Sequence, residues 1–588
     1  MHEPSGTPIS IESIQFESLQ TSDSGEKILL PEMTPDQVDA VDPLIPPTSG
    51  IRLKILDNKD GRYICPASKY ALFLRLFKAI SMLMTEKLRR PARILLTSDE
   101  RPTSDRLAKH AMQIFSFDGH ELLIQTESKK TISLDAYTHS GMSTPYSSAC
   151  IAVVPNIDAV IVVTASHNSA IWNGIKFYFK QSIPIAGDLM KEISKKAIAL
   201  KEIPLKKEGQ VVLKGEDHES RINKYVKDVL KEIIPIQGIK GSPVVLWPYM
   251  GAAKEIHELL THYGVNVIKI NKTMEPPDPT VNLPFEEVKG YLEKNNSKLA
   301  ILLDADRDRI VFIIKIGNNY VQLNPNELYT SMHNLLFDKF GKKIINVRTV
   351  PSDPRSDNKA ICTIETGVGY KHLGVVQYLA CGIDVDKSQF ESSLIYGKTK
   401  GARIKIDSSS KLFDFLGSNV PKTKDVVLMV LWEESGGHTV NLVKPKFKDG
   451  KIERLEPCFP LIGDKFPAPA IVLLAELIGR GNNLLDAIDA SITGIRVEIE
   501  ADDKRKQAIM KALEERVNQE IKVGDMQYKV VDYRDNQGLL DIIGLAGERS
   551  TIYARPSGTG NSVRIYLFGD KTSGKAELER VAEYLKKI

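Results

Sequence analysis

The stretch Ala159-Val160-Ile161-Val162-Val163-Thr164-Ala165-Ser166-His167-Asn168, followed by Asn173-Gly174-Ile175-Lys176, decides how the chain reads. Five consecutive apolar residues ending in small polar ones predict a buried strand that delivers a loop. The same kind of run returns at 94–96, 244–246, 300–303 and 426–431, with helix-like periods at 68–88, 252–263 and 326–337 between. Short apolar runs spaced by helices imply buried parallel strands in an α/β architecture. The last hundred residues read differently. Strand-like segments at 495–499, 528–533, 550–554 and 563–568 surround a charged helix from Asp503, and a final helix covers 575–586. That pattern implies an α+β end domain.

Small polar residues at the carboxyl end of a buried strand lie where open α/β sheets place their ligands. Ser166, with His167 beside it and Lys176 ten residues on, is a candidate nucleophile with its base. The competing reading is a serine that caps a following helix, a common role for serine.

A second motif, Asp304-Ala305-Asp306-Arg307-Asp308-Arg309, lies between the apolar runs 300–303 and 310–314. In an extended segment alternate side chains share a face, which would gather Asp304, Asp306 and Asp308. Their mutual repulsion is relieved by a hard divalent cation, and all-oxygen ligation suits Mg²⁺, Mn²⁺ or Ca²⁺ rather than zinc. An EF-hand loop is excluded, because its glycine position would be Arg309 and its last glutamate Lys315. A solvated charged turn is the alternative.

Two further loops carry binding chemistry. Trp432-Glu433-Glu434-Ser435-Gly436-Gly437-His438 follows an apolar strand and joins carboxylates and a hydroxyl, suited to sugar hydroxyls, with glycines that admit a ligand. Arg555-Pro556-Ser557-Gly558-Thr559-Gly560-Asn561, with Arg564 beyond, supplies guanidinium groups, hydroxyls and open amides fit to hold a phosphate. It lacks the spacing of a nucleotide P-loop, which disfavours ATP and GTP.

Composition bounds the rest. The 588 residues exceed one ordinary core, while 42% hydrophobic and 26% charged residues are those of a globular protein. A net charge of +4 suggests neither a nucleic-acid nor a membrane partner. Cys65, Cys150, Cys362, Cys381 and Cys458 are scattered, which reads as reduced, core-packing thiols in a cytoplasmic protein. No apolar run reaches the roughly 18 to 20 residues of a membrane span, and no signal peptide is expected. Residues 1–47 carry nine acidic residues against Lys27 alone, with Pro46-Pro47 at the end. They are expected to bury little and to form a flexible acidic extension.

The four loops in this order resemble those of the α-D-phosphohexomutase superfamily, the phosphoglucomutases and phosphomannomutases. That family shows an ASHNP phosphoserine loop, a DxDxDR metal loop, a GE[EMQ]SG sugar loop and an RxSxT phosphate loop. Thr48-Ser49-Gly50-Ile51-Arg52, Ser98-Asp99-Glu100-Arg101-Pro102-Thr103-Ser104 (similar to DTRPSS), Ser143-Thr144-Pro145 and Asn324-Pro325-Asn326-Glu327-Leu328 match family segments as well. The resemblance runs from about residue 48 to the end. It implies four domains around a central cleft, three related α/β units followed by a smaller α+β unit. The corresponding ranges are 48–213, 214–319, 320–484 and 485–588.

The resemblance further implies a phosphohexomutase that interconverts hexose 1-phosphate and hexose 6-phosphate. Ser166 would be the phosphoserine, binding one Mg²⁺ together with Asp304, Asp306 and Asp308. Lys176, as general base, would need a neutral amine, with His167, Arg52 and Arg309 around the reacting oxygen. Glu433 and Ser435 would grip the sugar, helped by Tyr370 and Lys371. Arg555, Ser557, Gly558, Thr559 and Arg564 would hold the other phosphate. Hexose 1,6-bisphosphate would be intermediate and activator, and small sugar phosphates the partners. The Glu-Glu-Ser-Gly-Gly form of the sugar loop is closer to glucose and mannose enzymes. Phosphoglucosamine or N-acetylglucosamine-phosphate mutase is the alternative, and a non-catalytic scaffold a third reading. Ser169, Arg307, Trp432 and Gly560-Asn561 depart from the family pattern, Arg307 standing where small residues are common.

Overall fold

The apolar run of the opening stretch forms the strand Ala159–Val163, and all five of its residues are buried. The computed structural model describes residues 8–23, 26–43, 50–399, 402–557 and 562–588. Contacts divide the chain into two units, Met1–Leu323 with Pro460–Arg480, and Asn324–Phe459 with Gly481–Ile588.

The first unit holds two large sheets. In the seven-stranded sheet, Ala159–Val163, Arg93–Ser98, Glu121–Gln125 and Val212–Glu216 pair in parallel, the first two as their apolar runs predict. Antiparallel strands close both edges. Trp172–Phe179 and then Ile51–Lys54 lie on one side, and Lys130–Ser133 on the other. The sheet thus extends three residues past the expected boundary at 213. The second sheet has five strands. Pro243–Pro248 is parallel to Asn266–Lys269 and Leu299–Leu303, and Leu299–Leu303 turns back antiparallel into Ile310–Ile316 and then Asn319–Leu323.

The range 320–484 is interrupted in the structure, because Pro460–Arg480 packs with the first unit. Its helix Ala468–Gly479 is anchored by Glu476, whose carboxylate accepts the backbone N–H groups of Gln237, Gly238 and Ile239 at 2.9, 2.9 and 3.1 Å. A Cβ on Gly479 would stand 2.4 Å from the Gly238 carbonyl oxygen, so the approach requires glycine.

The second unit holds a seven-stranded sheet around the parallel strands Cys362–Thr366, Ile344–Thr349 and Val427–Trp432, and a six-stranded antiparallel sheet from Ile492–Glu500 to Ser562–Asp570. The helices Asp503–Glu514 and Gly574–Lys587 accompany the latter, giving the expected α+β end. No helix among the described residues is long and apolar enough to cross a membrane. All five cysteines are free, four of them buried and Cys458 partly so.

The amino-terminal segment departs from expectation. Ile14–Phe16 pairs in parallel with Tyr63–Cys65, and Lys27–Leu29 pairs antiparallel with Glu202–Pro204. A capping box of Thr34 and Gln37 starts the helix Pro35–Val41. Ile14, Ile28 and Val41 are buried in the core of the first unit, and Arg75, itself buried, donates to the Pro31 carbonyl at 2.7 Å. Sparse apolar residues suffice here because each one meets an existing hydrophobic surface. Acidic composition averages over the segment and hides them. Ile28→Ala should therefore cost about 2–4 kcal/mol and lower the urea midpoint. An unchanged midpoint would mean that the segment contributes nothing to the fold.

Candidate active site

Ser166 sits in the loop between two antiparallel strands, Ala159–Val163 and Trp172–Phe179. No helix begins there, which removes the capping reading. The residue is 1% exposed and its φ is +56°, a left-handed conformation that is uncommon outside glycine and needs support from its surroundings. That support is specific. The Ser166 N–H donates to Thr164 Oγ1 at 2.8 Å, and Thr164 Oγ1 donates to Asp99 Oδ2 at 2.6 Å. Asp99 also accepts Arg101 Nε at 2.9 Å, and Arg101 donates onward to the carbonyls of Ser166 and Ser169. Ser169 therefore does not loosen the loop, since its carbonyl is held at 2.8 Å by Arg101 and at 2.9 Å by the Trp172 N–H. Ser166 Oγ lies 3.2 Å from His167 Nδ1.

The aspartate motif is a hairpin turn, not the extended segment expected from alternation. It joins Leu299–Leu303 to Ile310–Ile316, and Arg307 reverses it with φ of +61°. The three carboxylates still converge, with one oxygen from each within 4.8 Å of the others, and all are 3% exposed or less. Each spends one oxygen on the protein. Asp304 Oδ1 accepts the Arg309 N–H at 3.1 Å. Asp306 Oδ2 accepts Thr144 Oγ1 at 2.8 Å and Lys176 Nζ at 2.7 Å, and Asp308 Oδ2 accepts Lys176 Nζ at 2.9 Å. The other oxygens, Asp304 Oδ2, Asp306 Oδ1 and Asp308 Oδ1, are buried without a hydrogen-bond partner. Orphaned buried carboxylate oxygens are costly, and three in one turn are the donor set of a hard divalent cation. The residues present fit that group.

The electrostatics agree. Burial, then Asp306 and Asp308, push the Asp304 carboxyl well above the usual range. Burial also opposes the charge of Asp308, but Lys176, Lys465 and Arg309 outweigh it and hold that carboxyl well below the usual range. For Lys176, burial disfavours the ammonium, yet Asp306, Asp308 and Asp464 outweigh it and raise the amine above its ordinary value. The expectation of a neutral Lys176 is therefore corrected for the site as it stands: carboxylates, not cations, dominate its surroundings. Burial, Arg309 and Arg52 instead hold His167 well below the ordinary imidazole value, which keeps it neutral.

Arg52 reaches the site through strand register. It lies opposite Gly174 in Trp172–Phe179, on the face shared with Lys176 two residues on. A Cβ on Gly174 would stand 2.4 Å from the Ile51 carbonyl, so this close pairing requires glycine. Arg309 lies 3.5 Å from Asp278 and 3.9 Å from Asp308. Lys465 stands 3.6 Å from Asp308, and Tyr178 donates to Asp464 at 2.5 Å. Asp99, Arg101, Thr144, Asp278, Asp464 and Lys465 were not among the expected site residues. The only sequence hint for the last two was a charged pair inside an apolar stretch.

The second unit carries the remaining candidates. Glu433 is 4% exposed and accepts Ser435 Oγ at 2.5 Å, and Tyr329 OH holds the Gly436 carbonyl at 2.6 Å. Tyr370 is 2% exposed, with its hydroxyl on the Leu431 carbonyl and Thr439 Oγ1 at 2.7 Å each. It supports the strand beneath the loop rather than presenting a hydroxyl. Burial lowers the amine of Lys371, with Arg555 adding to it and Asp541 opposing. Arg555 lies 3.7 Å from Asp541, and its Nε is buried without a partner. Arg564 is opposite Arg555 in register and pairs with Glu498 at 3.1 Å. Ser557 is 1% exposed, and its N–H donates to the Ser562 carbonyl. Gly558 and Thr559 lie outside the described residues, as do Gly560, Asn561, Thr48 and Ser49.

The shifted carboxyls predict a pH signature. A raised folded-state value means that Asp304 stabilises the cation-free fold while protonated and loses that contribution as pH rises through the raised value. Asp308 runs oppositely, stabilising at neutral pH and losing that contribution as pH falls. The rise in Tm produced by millimolar MgCl₂ should therefore grow as pH is raised and shrink as pH is lowered, read by scanning fluorimetry across a pH series. Equal shifts across the series would remove Asp304 from the cation site.

Comparison with known proteins places this geometry. Residues 45–203 match the family model described as phosphoglucomutase/phosphomannomutase, alpha/beta/alpha domain I. A phosphoglucosamine mutase of Caldicellulosiruptor saccharolyticus is 26% identical over 194 residues, 32% of this chain and 42% of its own. The chain spans 36% to 51% of the length of such curated relatives. In fold, it is similar to the Paramecium phosphoprotein pp63/parafusin (phosphoglucomutase), at a TM-score of 0.59 and 15% identity, covering 95% of this chain and 96% of that one. It is also similar to a phosphoglucomutase/phosphomannomutase family protein of Burkholderia thailandensis, at a TM-score of 0.55 and 14% identity over 94% and 97% of the two chains. The family match thus covers the first domain, which carries the serine loop, and the likeness to the solved structures is one of fold.

Proposed function

We propose that the chain is a phosphohexomutase that moves phosphate between the 1- and 6-positions of a hexose by way of phosphorylated Ser166. One observation carries this reading: a buried serine in a left-handed turn shares its unit with three carboxylates that each keep one orphaned oxygen, among Arg52, Lys176, Arg309 and Lys465. Phosphoryl transfer asks for positioning and charge neutralisation above all.

Asp304, Asp306 and Asp308 would hold Mg²⁺, which when bound neutralises charge on the phosphoryl oxygens. In the forward step the Ser166 Oγ–P bond breaks as a sugar hydroxyl oxygen bonds to phosphorus, giving hexose 1,6-bisphosphate. The hydroxyl proton leaves to a base. Transfer of the other phosphate back to Ser166 completes the isomerisation, so hexose 1,6-bisphosphate also serves to rephosphorylate an empty serine. His167, neutral and 3.2 Å from Ser166 Oγ, is assigned to accept the Ser166 hydroxyl proton when the serine is rephosphorylated and, as imidazolium, to return it when the Oγ–P bond breaks. Lys176 and the arginines are assigned the charge. To the second unit we assign recognition: Glu433 and Ser435 for sugar hydroxyls, and Lys371, Arg555, Ser557, Gly558, Thr559 and Arg564 for the phosphate not being transferred. Each of the four ranges read from the sequence holds one principal sheet, which supports the four-domain division.

Glucose and mannose phosphates are the preferred substrates on the Glu433-Glu434-Ser435-Gly436-Gly437 loop. Amino sugar phosphates are the second reading, supported by curated relatives that are phosphoglucosamine mutases. Intact-mass analysis should find one phosphate, on Ser166. Parallel assays of glucose, mannose, glucosamine and N-acetylglucosamine 1-phosphates with Mg²⁺ and a hexose bisphosphate decide the sugar. Ser166→Ala should lower turnover on the order of 10³-fold or more with little change in Tm. No phosphate on the serine and no turnover of any of the four would leave a non-catalytic scaffold.

A further inference from the structure

The segment that braces Ser166 contains one side chain that does not face the serine loop. Asp99 and Arg101 hold that loop, while Glu100 between them turns to the aspartate hairpin. There it meets Arg307, with Nη1 3.2 and 3.1 Å from the two Glu100 oxygens. Arg307 Nε donates to Glu255 Oε1 at 2.7 Å. The guanidinium is 2% exposed, and it belongs to the left-handed residue between Asp306 and Asp308.

The path of Glu100 is prepared by the backbone around it. A Cβ on Gly141 would stand 2.3 Å from the Glu100 carboxyl carbon, and one on Gly251 2.1 Å from it. Three residues beyond Gly141, Thr144 holds Asp306 through its N–H to the carbonyl and its Oγ1 to the carboxylate. Arg307 stands where the family pattern has a small residue, and Glu100 where it has the threonine of DTRPSS. The two departures are each other's partners. Removing a guanidinium and carboxylates from water gains little net stability, so such a group is better suited to holding geometry than to adding stability.

We propose that Glu100 and Arg307 are positioning residues whose partly buried clasp ties the loop bearing Ser166 to the loop bearing the three aspartates and sets the separation of nucleophile and cation. This rests on the reading of Ser166 and the aspartates given above. Neither residue is assigned a contact with substrate.

The test compares the full-length protein with Glu100→Ala, Arg307→Lys and the double variant. Glu100→Ala leaves Arg307 paired with Glu255, which preserves the fold. Its kcat should fall on the order of 10- to 100-fold, the scale of a misplacement of about 1 Å, with KM for the sugar phosphate changed less than about twofold. Its affinity for Mn²⁺, measured by electron paramagnetic resonance without substrate, should weaken about 3- to 10-fold as the turn relaxes. Arg307→Lys should show the same split. The double variant should lose no more than the worse single one, because the pair acts as a unit. Unchanged kcat and Mn²⁺ affinity in Glu100→Ala, or additive losses in the double variant, would overturn the clasp. A wild-type protein without phosphate on Ser166 and without turnover would instead overturn the reading of the site beneath it.

Discussion

Three carboxylates confined in one dry hairpin turn are the constraint around which the first unit is organised. Asp304, Asp306 and Asp308 are almost fully buried, and each keeps an oxygen without a hydrogen-bond partner, the one on Asp308 facing Lys465 and Arg309 at 3.6 and 3.9 Å. A charge without water or partner is costly, so such a turn persists only where neighbouring groups offset it. Lys176 arrives from Trp172–Phe179, Lys465 from the returning segment Pro460–Arg480, and Thr144 from the start of a helix. The offset is partial. Asp304 remains pushed toward its neutral form, while Asp308 is held charged. That imbalance is what a divalent cation would correct.

Ser166 is held under a parallel constraint. Its backbone is left-handed, and the strain is offset by Thr164, Asp99 and Arg101 rather than by a helix. Ser166 and the carboxylates are therefore both placed by loops that begin at the ends of buried strands. In the proposed reaction, preorganised charge of this kind would act without further rearrangement. It also explains why the segment 98–104 matters although none of its side chains is assigned to the reaction.

Much of this was legible in the chain itself. Apolar runs located the strands, and the spacing of the aspartates located a convergence of carboxylates. The extended face was the wrong local geometry for the right convergence: a turn reversed by Arg307 brings the same three residues together. The tethered amino-terminal segment was illegible because Ile14, Ile28 and Val41 are isolated among acidic residues, and their partners lie far along the chain. Tyr370 shows the limit from the other side, since a tyrosine beside a glycine reads as a ligand until its hydroxyl is seen bonded to Leu431 and Thr439.

What the sequence determined by itself was the local chemistry: which residues bring hydroxyls, carboxylates and guanidinium groups together in short loops, and at which strand ends they stand. Those properties depend on residue type and short spacing. Only the tertiary structure decided that Lys176 stands between Asp306 and Asp308, that Lys465 and Asp464 join the site, and that Glu100 meets Arg307. Protonation states and long-range pairs depend on burial and on which distant segments meet. Loop closure and packing set both, and neither is written in the spacing of neighbouring residues.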